Sequence, residues 1–265
     1  MRPLFFLIAI VTVFSSCAQR ISQQAYRQDR LLQAAYDSNC TEMLDSFFEN
    51  WAREMPPLPD ESIDKLDEPA RNTYRVFQAF YQPLAIQRIG GSEFGSDVYK
   101  SVKYLLVQDQ IKVDVSDDEI DPDSLTKFKS LTARHHRQVA YFRPKASFSS
   151  PRILVLTNYY RRLLTSFLGN TYKPFAEDDI MAPARAKGES QRRQKFLEND
   201  LRIFYGHWGG YWQLYSYPTI SSLTFDKSFR YAIIYYEFIY EGGEAYLKKV
   251  NGIWTLISAQ RTWIE

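Results

Sequence analysis

The pair Asn251-Gly252, set between Lys249-Val250 and Ile253-Trp254, constrains this chain more than any other feature. Both residues tolerate the positive φ of a two-residue type I′ turn, and Asn-Gly between alternating apolar residues is the strongest short-range hairpin signal. It predicts Val250 opposite Ile253, Leu247 opposite Leu256 and Tyr246 opposite Ile257. Gly242-Gly243 predicts a second two-residue turn, which sets Ile239 opposite Tyr246 and Glu237 opposite Lys248 as a favourable cross-strand charge pair. The same register leaves Glu241 directly opposite Glu244, a like-charge conflict that a longer loop would relieve. Period-two alternation then puts Tyr236, Phe238, Tyr240, Ala245, Leu247, Trp254 and Leu256 on one face. Tyr235, Ile239, Tyr246, Val250, Ile253 and Ile257 fall on the other. With Thr219 to Phe225 as a first strand, the end of the chain reads as an antiparallel meander whose two faces both want cover.

Helices precede this meander. Asn39 with Glu42 fits a capping box, and Met43, Leu44, Phe47, Phe48 and Trp51 recur at helical spacing up to Pro56-Pro57. Asp67 can cap a second helix, with Pro69 in its first turn and a stripe of Tyr74, Phe77, Phe80 and Tyr81 ending before Pro83. From Val98 to Val115 the period changes to two, predicting strands bent near Gln108-Asp109-Gln110. Ile153 to Leu156 is a short strand, after which Thr157 caps a helix carrying Tyr159, Tyr160, Leu163, Leu164 and Phe167 until Gly169-Asn170 stops it. Residues 171–189 show no periodicity and read as a surface connection between subdomains. Ser190 then caps a helix with Phe196, Leu197, Leu201 and Phe204 on one face, ending at Gly206.

The polar features carry little chemistry. The acidic run from Ser116 to Asp123 has no glycine and contains Pro122, so it does not fit a calcium loop. Arg134-His135-His136-Arg137 reads as a solvated polar turn or helix, because neighbouring histidines point to different faces and no HExxH spacing occurs. No metal or other cofactor is called for. With 33 basic and 31 acidic residues the formal charge is +2, which argues against a nucleic-acid partner.

The first residues read as an export signal: Met1-Arg2-Pro3, an apolar run from Leu4 to Phe14 too short to span a bilayer, then Ser15-Ser16-Cys17. Small residues before Cys17 resemble the lipobox of bacterial lipoproteins, which implies cleavage after residue 16, lipidation of Cys17 and a stable acyl (palmitate-bearing) anchor. Phe14 departs from the aliphatic residue usual there. Ala18 rather than Asp after the cysteine, and no acidic cluster beyond it, point by the same resemblance to the periplasmic face of the outer membrane. Residues 18–35, with Arg20, Arg27 and Arg30, read as a solvated tether that turns helical towards Leu31 and Leu32. Cys40 is then the one cysteine left, so no intrachain disulfide forms, and it reads as small filler at a helix start.

The run Tyr246-Leu247-Lys248-Lys249-Val250-Asn251-Gly252-Ile253-Trp254-Thr255-Leu256-Ile257, preceded by helices and followed by a last strand with Trp263, resembles the NTF2-like (cystatin-like, SnoaL-like) fold. The resemblance implies an α+β class, with amphipathic helices packed on a curved antiparallel sheet that ends in a C-terminal β-meander. The chain also looks like lipoproteins of Bacteroidetes without an assigned activity, which share His207-Trp208-Gly209-Gly210-Tyr211-Trp212 and the ending Thr262-Trp263-Ile264-Glu265. Its divisions are 1–16 signal peptide, 17–36 lipidated cysteine and tether, 37–170 N-terminal α+β region, 171–189 connecting loop and 190–265 NTF2-like helix and meander.

Candidate ligand-binding residues are His207, Trp208, Tyr211 and Trp212 in the aromatic loop, with Asp226 and Tyr240. Among NTF2-like proteins some place an acid, histidine or tyrosine in the cone between sheet and helices as isomerases, dehydratases or hydrolases, and many only bind. The expectation is a membrane-tethered, non-catalytic binding or assembly protein for an envelope protein, glycan or lipid, with the acid–base enzyme as its alternative.

Overall fold

The computed structural model describes residues 27–91, 98–120, 135–169, 182–205 and 212–264, and the chain divides into two compact units at Glu54/Met55. Cys17, His207, Trp208 and Tyr211 lie outside the described residues.

The described part of the first unit is a helical hairpin. A helix over 27–37 is followed by the Thr41–Glu54 helix, and Gln28 donates to the Glu54 carboxylate at 3.2 Å where the ends of the hairpin meet. The expected capping box is corrected. Asn39 takes a left-handed φ of 49° and makes the turn between the helices, its conformation favoured by a short polar side chain. Cys40 follows it and donates its thiol to Glu42 at 3.2 Å at the helix start. Leu44, Phe47, Phe48 and Trp51 are buried on one stripe, with Phe47 packed edge-on to Phe48 at 5.1 Å.

The second unit is mixed α+β. Its main sheet has six strands in the spatial order Ile253–Ile264, Glu241–Val250, Tyr231–Phe238, Thr219–Phe225, Ile111–Val115, His135–Val139. These are β2 Ile111–Val115, β3 His135–Val139, β7 Thr219–Phe225, β8 Tyr231–Phe238, β9 Glu241–Val250 and β10 Ile253–Ile264. All neighbours are antiparallel except β2 and β7. The Glu68–Phe80 helix lies on one face. Its N-cap Asp67 accepts from the Ala70 N–H at 3.1 Å, and Tyr74, Val76, Phe77 and Phe80 turn to the core. Phe80 meets Tyr236 at 5.3 Å, Phe77 stacks on Tyr81 at 4.8 Å and Tyr74 meets Phe142 at 4.6 Å. Each such ring contributes roughly 1.5–3 kcal/mol by leaving water.

The Asn251-Gly252 turn is present with φ of 50° and 82°, and Val250 faces Ile253 and Leu247 faces Leu256 as expected. A bulge past Leu256 then puts Ser258, not Ile257, opposite Tyr246. The second turn is corrected. It falls at Ile239-Tyr240, so Phe238 faces Glu241 and Gly242-Gly243 sit inside β9. Glu237 faces Gly242, and Lys248 faces Tyr231 with its ammonium 5.6 Å from the ring centroid. The like-charge conflict disappears, because Glu241 pairs with Arg261 at 3.2 Å and Glu244 accepts from Gln260 at 2.6 Å.

The glycines are there for space. A Cβ at Gly243 would run into the Gln260 carbonyl and the Tyr236 ring, and one at Gly242 into the Trp263 indole. The β8–β9 register slides by an even number of residues, so the strand side chains keep their predicted faces, but Ile239, now in the turn, packs against the main core rather than on the outer face. Tyr236, Phe238, Ala245, Leu247 and Trp254 are core, while Tyr235, Val250, Ile253 and Ile257 are exposed.

A second, two-stranded sheet pairs β1 Tyr104–Gln108 parallel with β4 Arg152–Leu156. The chain bends after Gln108 as expected, but the bend sends β1 and β2 into different sheets. The far side of β1 is held by the segment after β6, a two-residue strand Trp212–Gln213 paired with β5 Phe204–Tyr205. There the Ser216 N–H donates to the Leu106 carbonyl at 2.8 Å, and the Gln108 amide bonds both the N–H and the carbonyl of Ile220. The Asn158–Leu168 helix follows β4 as predicted, Thr157 accepting from Tyr160 N–H and Gly169 ending it.

Two further expectations are corrected. The His135-His136 segment is an edge strand rather than a turn or helix, its place fixed by pairing with β2 and by an ion pair from Arg137 to Asp67. The helix expected from Ser190 to Gly206 instead spans Ala182–Leu197, because the chain turns on the Leu197 carbonyl and the Asp200 carbonyl goes to β1, accepting from Tyr104 N–H at 2.9 Å.

Candidate functional site

The described candidates from the sequence are not brought together. Asp226 is wholly buried at the β7–β8 turn. Its carboxylate accepts from the N–H groups of Arg230 and Tyr231, each at 2.8 Å, and from the Ser228 hydroxyl at 2.6 Å. That carboxylate closes a turn and has no face towards a ligand. Tyr240 is half-buried in the β8–β9 turn. The two thus sit at opposite ends of the eight-residue β8, about 25 Å apart by strand rise. Trp212 is buried, donates its indole N–H to the Gly169 carbonyl at 2.8 Å and packs edge-on to Tyr205 at 4.9 Å. It closes the core at the end of the Asn158–Leu168 helix.

The chain does assemble a polar cluster elsewhere, beside the carboxyl ends of the parallel strands β1 and β4. Asp109 stands at the turn after β1, Arg161 comes from the start of the Asn158–Leu168 helix and Tyr215 from the segment strapped to β1. The Arg161 guanidinium lies 4.5 Å from the Tyr215 ring centroid, a cation–π distance. Burial raises the Asp109 carboxyl above its ordinary value, with the Arg161 charge opposing it. Burial also raises the Tyr215 phenol, against the charge and hydrogen bond of Arg161 and with the Asp109 charge assisting. Next to them the Phe142 N–H donates to the Asp109 carbonyl at 2.7 Å. The preceding residue, Tyr141, is 82% exposed at a left-handed φ of 54°.

Such a group offers guanidinium and phenol donors, one carboxylate acceptor and exposed aromatic surface, which suits a ligand bearing hydroxyl or carboxylate groups. The carboxyl ends of parallel strands are a recurrent place for binding sites. In the sequence Asp109 marks only a bend between strands, and Arg161 and Tyr215 carry no signal of their own. A strand-then-helix unit at β4 was legible, but nothing local says that β1 is the strand beside it.

Among the described residues, no three of histidine, cysteine, aspartate or glutamate converge where a metal ion could sit, and no helix is long and apolar enough to cross a membrane. A separate groove along the first unit's hairpin is lined by Arg27, Arg30 and Arg53 with Asp45 and Glu49 over Leu31 and Met43, so its charges largely offset one another. Compared with known protein families, curated proteins and solved structures, the chain matches none.

Proposed function

We propose that this is a membrane-tethered, non-catalytic binding module of a bacterial envelope, anchored through Cys17 on the periplasmic face of the outer membrane, and that it holds a glycan. The observation that carries the reading is the cluster of Asp109, Arg161 and Tyr215 beside the exposed Tyr141. A planar cation stacked on a ring, with a carboxylate in its electrostatic range, can bond vicinal hydroxyls, and an exposed tyrosine can pack on a sugar ring. The export-signal and lipobox pattern of residues 1–17 supports the tether. An NTF2-like description of the second unit has its support in the antiparallel meander and the Glu68–Phe80 helix laid across it.

The test uses full-length protein and purified peptidoglycan sacculi in a co-sedimentation assay. Wild type pellets with the sacculi, and Arg161→Ala abolishes this while thermal unfolding changes little. Wild-type protein left in the supernatant, or an Arg161→Ala variant that still pellets, refutes the site. Palmitate labelling that persists in Cys17→Ala refutes the anchor.

A further inference from the structure

The β10 strand is the outermost strand of the six-stranded sheet and twelve residues long. Edge strands in monomeric proteins are usually kept from associating by charges, prolines or covering segments. β10, Ile-Trp-Thr-Leu-Ile-Ser-Ala-Gln-Arg-Thr-Trp-Ile, contains one charged residue, Arg261, and that one is engaged with Glu241 of the neighbouring strand at 3.2 Å. Among the described residues its outer side is apolar and exposed, while Trp254 faces the core and Gly90 packs on its backbone at Arg261. On the outer side of the sheet Ile253, Ile257 and Trp263 of β10 are 70%, 43% and 43% exposed, beside Val250 of β9 at 46% and Tyr235 of β8 at 43%. These five leave roughly 500 Å² of surface open, to which the exposed Thr255, Ser258 and Gln260 add on the same side, against the ~800 Å² per partner that a stable interface buries.

The arrangement along β10 indicates what covers it. Ile253 and Trp263 lie at equal chain distances on either side of Ser258, with Ile257 next to that midpoint. A two-fold axis through Ser258 therefore brings Ile253 of each copy to Trp263 of the other, twice, with the short polar residues Thr255, Ser258 and Gln260 in between. An isologous interface requires this self-complementarity, and an unrelated partner does not. Arg261 is already neutralised within its own chain, so the antiparallel arrangement brings no unpaired like charges together along the strand.

We propose that the protein is a dimer in which the exposed side of β10 packs against β10 of a second copy about a two-fold axis at Ser258. Contact runs through side chains, since Gly90 packs against the backbone of β10 at Arg261 and occupies that stretch.

The experiment uses the full chain in mild detergent, with Cys40→Ser to remove the other free thiol. In sedimentation velocity at micromolar concentration the wild type runs as a dimer. Ile253→Glu, at the exposed hairpin tip, runs as a monomer that keeps the wild-type circular-dichroism spectrum. Ser258→Cys, on the axis, oxidises to a disulfide-linked dimer, and Glu237→Cys on β8 does not. A monomer at every concentration overturns the proposal, as does a dimer in which Ser258→Cys fails to cross-link. If Cys17→Ala protein stays monomeric but binds phospholipid vesicles through Ile253, this side of β10 is a lipid surface and the proposal fails. Should Ile253→Glu unfold, the Ser258→Cys cross-link alone decides.

Discussion

Adding one methyl group at Gly243 and at Gly242 in turn separates the two ways of reading this glycine pair. Neither glycine has a left-handed φ, so backbone strain does not enter and the cost of alanine is steric. At Gly243 the new Cβ meets the Gln260 carbonyl on the adjacent strand and the ring and hydroxyl of Tyr236. The carbonyl belongs to a paired strand, and Tyr236 is 1% exposed with its hydroxyl donating to the Ile89 carbonyl and, at 3.2 Å, to Gln260. Moving them costs about 1–3 kcal/mol of overpacking and about 1 kcal/mol for a disturbed hydrogen bond. Lower unfolded-state entropy returns ~0.4–1 kcal/mol.

The net loss for Gly243→Ala is therefore about 2 kcal/mol, a fall in melting temperature of roughly 4–8 °C for a unit of this size. At Gly242 the obstacle is the Trp263 indole, 43% exposed and near the end of its strand, a side chain that can turn aside without moving backbone. Gly242→Ala stays within about 1 kcal/mol of wild type in either direction. Urea and thermal unfolding of both variants, followed by circular dichroism, give the comparison. Equal losses at both positions, or a larger loss at Gly242, would refute the steric account and with it the β8–β9 register.

Two more outcomes follow from the polar groups. Asp226→Ala removes the acceptor of a buried backbone N–H at Tyr231 and a part-buried one at Arg230 and lowers stability by about 2–4 kcal/mol in urea titration, yet leaves sacculus binding of the folded fraction intact, as expected of a turn residue. Asp109 has its folded-state pKa raised by burial, so its protonated form favours folding below the ordinary value of 3.8 and that contribution is lost as pH rises through the raised value. Asp109→Asn accordingly stabilises the protein near neutral pH and has no effect well below the ordinary carboxylate range, measured as melting temperature against pH; a uniform gain at all pH would contradict the burial argument.

What the sequence by itself determined is what local physics determines. The Asn251-Gly252 turn needs only two residues that accept positive φ, and Thr157 to Gly169 carries its own cap, stripe and stop, so both are present where expected. The sidedness of the meander was equally legible, because alternation is local and survives any even slide of register. Position along the strands was not. Gly242-Gly243 has the appearance of a turn, and only the side chains of Tyr236 and Trp263 crossing over β9 explain why it is a strand interior.

The parallel pairing of β1 with β4, the edge position of His135–Val139 and the end of the Ala182–Leu197 helix likewise depend on partners distant in the chain. The candidate site falls in that second group. Asp109, Arg161 and Tyr215 are unremarkable in sequence, and three separate elements have to fold together before a guanidinium lies over a ring beside a half-buried carboxyl.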